Sequence, residues 1–135
     1  MIKMNIDLNQ NITRFSSFVS NVSLNLAGQS LTDYDIPELL LFLRQNPLIK
    51  KVDLSLNNIG NQGLSIFAEG NKTVLYVNLT GNNITDEGMA EFASKNKIIQ
   101  EINFSDNRIS EQGIEIYINL NHSCNKTRFT KLRYQ

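Results

Sequence analysis

The stretch Ile49-Lys50-Lys51-Val52-Asp53-Leu54-Ser55-Leu56-Asn57-Asn58-Ile59-Gly60-Asn61-Gln62-Gly63-Leu64 returns almost position for position as Val74 to Met89, and again as Ile99 to Ile114. Asn57, Asn82 and Asn107 stand 25 residues apart, and the pairs Ile59/Gly63, Ile84/Gly88 and Ile109/Gly113 keep that step. Self-similarity at a fixed period of this length restricts a chain to stacked supersecondary units, each hiding its apolar face against the next copy. At 135 residues the chain is one domain, long enough for a continuous core when the layers are stacked.

Each copy changes period in the middle. Val52 and Leu54 alternate with Lys51, Asp53 and Ser55, as in a strand covered on one face. Thr85-Asp86 and Ser110-Glu111 then read as helix starts, with capping hydroxyls and acidic first-turn residues. Pro37 suits the start of a first helix, where its missing donor costs nothing. Helical spacing aligns three inward rows, Ile36/Leu64/Met89/Ile114, Leu39/Phe67/Phe92/Tyr117 and Leu40/Ala68/Ala93/Ile118. Gly63, Gly88 and Gly113 are expected where helix and strand come closest, with Asp35 in the equivalent place of the first copy.

Val52-x-Leu54-x-x-Asn57-x-Ile59, Val77-x-Leu79-x-x-Asn82-x-Ile84 and Ile102-x-Phe104-x-x-Asn107-x-Ile109 match the leucine-rich repeat pattern. The continuation from Ile84 to Ala93 resembles the ribonuclease-inhibitor-like and cysteine-containing subclasses, whose repeats carry a helix on the outer face. A degenerate first copy places Leu24, Leu26, Gln29 and Leu31 at the positions of Val52, Leu54, Asn57 and Ile59, a step of 28. The resemblance covers roughly Val22 to Leu120. It implies an α/β solenoid, right-handed, with parallel strands on the concave face, helices on the convex face and about four repeats plus end caps. It also implies that Asn57, Asn82 and Asn107 are structural: their side chains turn inward and satisfy the tight loop from layer to layer. The expected division is an N-terminal cap over 1–21, repeats over 22–121 and a C-terminal strand cap over 122–135. In the first cap Ile6-x-Leu8-x-x-Asn11-x-Thr13 reads as a shortened strand and turn, followed by an apolar turn with Phe15, Phe18 and Val19. In the last, Phe129-x-x-Leu132-x-Tyr134 echoes Ile99-x-x-Ile102-x-Phe104 and predicts a strand through Lys131 and Arg133, with no room for a fifth helix.

Outward strand positions then form ladders at roughly 5 Å intervals across the concave sheet. One runs Asn25, Asp53, Asn78, Asn103, Arg133; a second Ser23, Lys51, Tyr76, Glu101, Lys131; a third Ala27, Ser55, Thr80, Ser105. Parallel sheets are usually covered on both faces. A bare one made of amides, hydroxyls, a few charges and one aromatic is expected to bind a protein. Tyr76 is its natural anchor and Leu56 a smaller apolar contact beside it.

Other classes find little support. Thirteen basic and thirteen acidic residues cancel, so no overall field favours nucleic acid or an anionic membrane. The cluster Lys126, Arg128, Lys131 and Arg133, with Phe129 and Tyr134 interleaved, reads better as a solvated edge than as a nucleic-acid site. His122 and Cys124 supply too few ligands for a metal, and a single His leaves no triad to assemble, so neither cofactor nor catalysis is expected. A lone Cys124 fits a reducing compartment. The triplets at Asn71, Asn78, Asn83, Asn103 and Asn121 read as chance products of an Asn-rich composition rather than glycan acceptors. No apolar span and no charged-then-apolar leader is visible, so a cytoplasmic location is expected. Proteins similar to this one include receptor and adaptor repeat segments and effectors that intracellular bacteria deliver into host cells. The short chain and AT-rich composition most resemble the effectors. A self-associating module, or a piece of a larger receptor or adaptor, is the alternative.

Overall fold

The computed structural model describes residues 12–129. Two-residue β1 (Val19–Ser20) pairs antiparallel with β2 (Ser23–Asn25), and from there the layers repeat: α1 (Ile36–Gln45), β3 (Lys51–Asp53), α2 (Asn61–Gly70), β4 (Tyr76–Asn78), α3 (Asp86–Lys95), β5 (Glu101–Asn103), α4 (Glu111–Leu120) and β6 (Lys126–Arg128). The strands lie side by side in chain order, and every pairing after the first is parallel. The fold is a leucine-rich repeat solenoid.

The core is one cluster running the length of the stack, with Val52, Val77 and Ile102 from the strands facing Leu64, Met89 and Phe92 from the helices. Phe92, Phe104 and Tyr117 meet edge-on and stacked at centroid distances of 5.6–6.5 Å, giving the later layers aromatic packing beyond simple area burial. At the first layer Phe15 packs edge-on against Phe42 at 5.5 Å. Arg14 lies over the Phe15 ring and reaches Asp35 and Glu38, so a polar rim closes over an apolar plug. The Ile12 amide adds a hydrogen bond to Gln45 Oε1. The motif Ile6 to Asn11 lies outside the described residues.

Two registers differ from the sequence reading. The extra three residues of the first copy form a 3₁₀ turn, Asp33–Asp35, before the helix, so α1 and α2 are again 25 residues apart. Of the expected first-layer members Ile36 and Leu39 are buried and Leu40 is half-buried against the core, while Phe42 and Leu43, which stand 25 residues before Phe67 and Ala68, are buried as well. A shift of three residues nearly completes a helical turn, and the apolar run Leu39 to Leu43 satisfies either register. Counted by the 25-residue step, Glu38 takes the helix position of Gly63, while the side chain packed against Gly63 is that of Asp33. Asp35 instead closes a capping box with Thr32.

The second correction is at the far end. The strand that pairs with β5 is Lys126–Arg128, in register Glu101↔Lys126 and Asn103↔Arg128, so the 25-residue step continues unbroken. Lys126 and Arg128 occupy the ladder seats assigned to Lys131 and Arg133, which lie outside the described residues along with Leu132 and Tyr134. A polar Thr127 in the seat of Val52, Val77 and Ile102 disguised this copy. Its hydroxyl is matched by the Tyr117 hydroxyl at 2.7 Å. Ile118, placed in an inward row, is 62% exposed, because no described helix follows α4 to cover it.

Candidate functional site

Two side-chain ladders tie the layers together and a third set closes a turn within each repeat, and together they shape the concave face. In the first, Asn57 Oδ1 accepts from Gln29 N (3.0 Å) and Leu31 N (2.8 Å), while Nδ2 donates to the carbonyls of Leu26, Leu54 and Ser55. Asn82 repeats this with Ile59 N, Leu54 O and Leu79 O, and Asn107 with Ile84 N, Leu79 O and Phe104 O. Each reaches back one layer and is buried. Gln29, the first-copy counterpart, stays exposed, and its side chain donates locally, to Ala27 O.

The sequence reading missed the other two. Asp33, Asn61 and Asp86, at helix starts, each accept a backbone N–H at the start of the next helix: Gly60 N at 2.7 Å, Thr85 N at 2.9 Å and Ser110 N at 2.9 Å. These carboxyl and amide groups fill the space where a Cβ at Gly63, Gly88 or Gly113 would sit, which is why glycine recurs there. The close approach is thus between neighbouring helix starts and not between helix and strand. Thr85 is drawn into the same link: its hydroxyl takes Asn61 Nδ2 (2.7 Å) and donates to Glu87, whose carboxyl is held below its ordinary range by that bond. Thr85 therefore makes no side-chain cap to its own helix, whereas Ser110 Oγ accepts from Gly113 N at 3.0 Å. The third set is Asn71, Asn96 and Asn121, which close the turns after α2, α3 and α4 by bonding both N–H and C=O of Val74, Ile99 and Cys124. Asn71 is buried with both amide atoms engaged, so this fold does not offer it to a modifying enzyme.

On the concave side the sheet forms an open groove of ≈ 520 Å³, and its lining brings together Lys51, Asp53, Tyr76, Asn78, Glu101 and Asn103, with Arg128 at the far end. Asn25 pairs in register with Asp53 on the neighbouring strand but is not part of this lining. Lys50 and Val22, just before their strands, also line it; strict alternation gives no signal for either, because both precede the paired segment.

The central column does more than face solvent. Oδ1 of Asn25, Asp53, Asn78 and Asn103 accepts the N–H two residues on, from Ala27, Ser55, Thr80 and Ser105, at 2.9–3.0 Å. Asx turns of this kind end each strand and leave only part of each side chain for a ligand. The outer column is freer. Tyr76 is 37% exposed between Lys51 and Glu101, and Glu101 forms a 3.7 Å ion pair with Arg128. No described carboxylate pairs with Lys50 or Lys51, so the groove is cationic at one side of Tyr76 and balanced at the other. Leu56 stands at the rim, 66% exposed at φ 58°, where Gly28, Gly81 and Asp106 take the same left-handed conformation in the other layers. Its side chain rests over Gly81.

The groove is a wide platform with no nucleophile–base pair, and among the described residues no group of three His, Cys, Asp or Glu could hold a metal ion. No described helix is long and apolar enough to cross a membrane. His122 is exposed, and Cys124 is a buried core residue in the seat of Val74 and Ile99.

Known proteins agree with this architecture. The family described as Leucine Rich repeat matches residues 45–68 and 70–93. The solved structure of Leiomodin-1 Actin-Binding Site 2 superposes with a TM-score of 0.61, covering 81% of this chain and 70% of that one at 19% identity, a likeness of fold. No curated protein matches the chain in sequence. Two of its repeats match that family, and the chain has the leucine-rich repeat fold.

Proposed function

We propose that the protein is a non-enzymatic interaction module that binds a protein partner through the concave groove. The observation that carries this is the parallel sheet, which no described element covers on its concave side, with exposed Tyr76 flanked by Lys50 and Lys51, for which no described carboxylate is a partner. An exposed Tyr is among the side chains that most often anchor a protein interface. The resemblance to bacterial effectors favours a host protein as the target and the cytoplasm as the place of action. Because the structural neighbour is an actin-binding site, actin is the first defined partner to assay.

The test is binding to purified actin and capture from host-cell lysate by wild type and by a Tyr76→Ala/Lys51→Glu variant. Asp53 and Asn78 are left intact because they close their strands. A partner held by wild type and lost by the folded variant supports the reading. A partner held equally by both sinks it and moves the binding face elsewhere.

A further inference from the structure

We propose that the β6/α4 end of the stack is a second docking site, built for a strand-and-helix unit of another protein whose strand carries acidic side chains. Lys126 N donates to Gln100 O at 3.0 Å and Arg128 O accepts from Phe104 N at 2.9 Å, so residues 126 and 128 spend their backbone groups on β5. By the alternation of a parallel ladder, the N–H and C=O of Thr127 between them point the other way, at an edge that no described strand covers. The helix layer is open at the same end. Ile118 is 62% exposed in the seat where Ala68 and Ala93, each followed by another helix, are 6% and 5% exposed. Among the described residues the strand edge and the apolar helix face beside it are both uncovered, and together they match what one further strand-and-helix unit would cover.

Charge selects the occupant. Lys126 and Arg128 flank Thr127 on the concave side of the edge, both exposed. A second copy added about a two-fold axis at Thr127 would set Lys126 opposite Arg128 of its mate, and like charges directly opposed disfavour pairing. A strand with Glu or Asp at those positions reverses the sign of both contacts. Glu101, next to them on β5, already shows the match through its ion pair with Arg128. The site adjoins the groove around Tyr76 through Arg128, but the outward edge of Thr127 and the Ile118 face lie outside that lining, so the proposal stands whether or not the groove binds.

The test is a nuclear magnetic resonance titration of the full chain with a synthetic peptide of alternating Glu and Val, and with its Lys and Val counterpart. The acidic peptide is expected to shift the β6 amides, and the basic one to leave them in place. Thr127→Pro removes the outward N–H without taking a hydrogen bond from β5, and is expected to weaken binding by at least about tenfold. Thr127→Val, which keeps the N–H and loses only the hydroxyl, should bind like wild type. Unmoved β6 amides, equal response to both peptides, equal affinity of Thr127→Pro, or a wild-type dimer in sedimentation would each overturn the proposal.

Discussion

Compare the layer of β4 and α3 with the layer of α4 and β6. The same seats are filled by Val77, Phe92 and Ala93 in one, and by Thr127, Tyr117 and Ile118 in the other. In the inner layer all three are buried and apolar. In the outer one two have gained hydroxyls, which satisfy each other at 2.7 Å, and the third is largely in solvent. Cys124 continues the trend, replacing Ile99 with a side chain whose Sγ can lean on Lys126 O. A seat in a solenoid is as dry as its two neighbouring layers make it, so burial here belongs to position in the stack more than to residue type.

This contrast can be pressed at three places. Phe92→Ala should open a cavity between Phe104 and Tyr117 and cost about 3–5 kcal/mol, whereas Ile118→Ala in an open seat should stay within roughly 0.5 kcal/mol. Urea unfolding of the pair would show it, and equal losses would mean that the far end is covered. Next in size, Asn82→Ala strands buried donors and acceptors of two layers and should cost about 1–3 kcal/mol or more, while Asn78→Ala gives up one Asx turn, about 1 kcal/mol. Equal melting temperatures would overturn the assigned inward and outward faces.

The smallest effect is a pH dependence. Burial pushes the Tyr117 hydroxyl above its ordinary value of 10.0. The folded state therefore holds that proton where the unfolded chain has released it. The associated stability is complete below pH 10 and is lost as pH rises above it. Tyr117→Phe should flatten the alkaline fall in stability measured by thermal melts, and an unchanged slope would place its cause elsewhere.

Much of this was legible from residues alone. The 25-residue step, the inward Asn57, Asn82 and Asn107, and the outward Lys51, Tyr76 and Glu101 need only a period and a parity. What escaped notice lacked either. Thr127 broke the apolar pattern, so the last copy was sought five residues too late. The three-residue insertion left the first helix's buried Ile36 and Leu39 legible but hid the 3₁₀ turn Asp33–Asp35, because a helix tolerates that shift without changing face. Asp33, Asn61 and Asp86 differ in type and hold contacts across layers, and only the flanking glycines recorded their presence. The central column was legible as solvent-facing but not as strand-closing, because an Asx turn and a binding amide use the same residue.

The Asn and Asp/Asn rungs also carry a consequence for how such a chain can change length. Each rung takes its partners from its own layer and the one beside it and from none farther away. A duplicated block such as 74–98, placed directly after itself, would repeat the Asn82 rung unchanged and set Asp86 against the N–H and hydroxyl of Thr85 in place of those of Ser110. Layer number is then a free variable for this sequence, and the reach of the concave surface can be lengthened without redesigning a single contact within it.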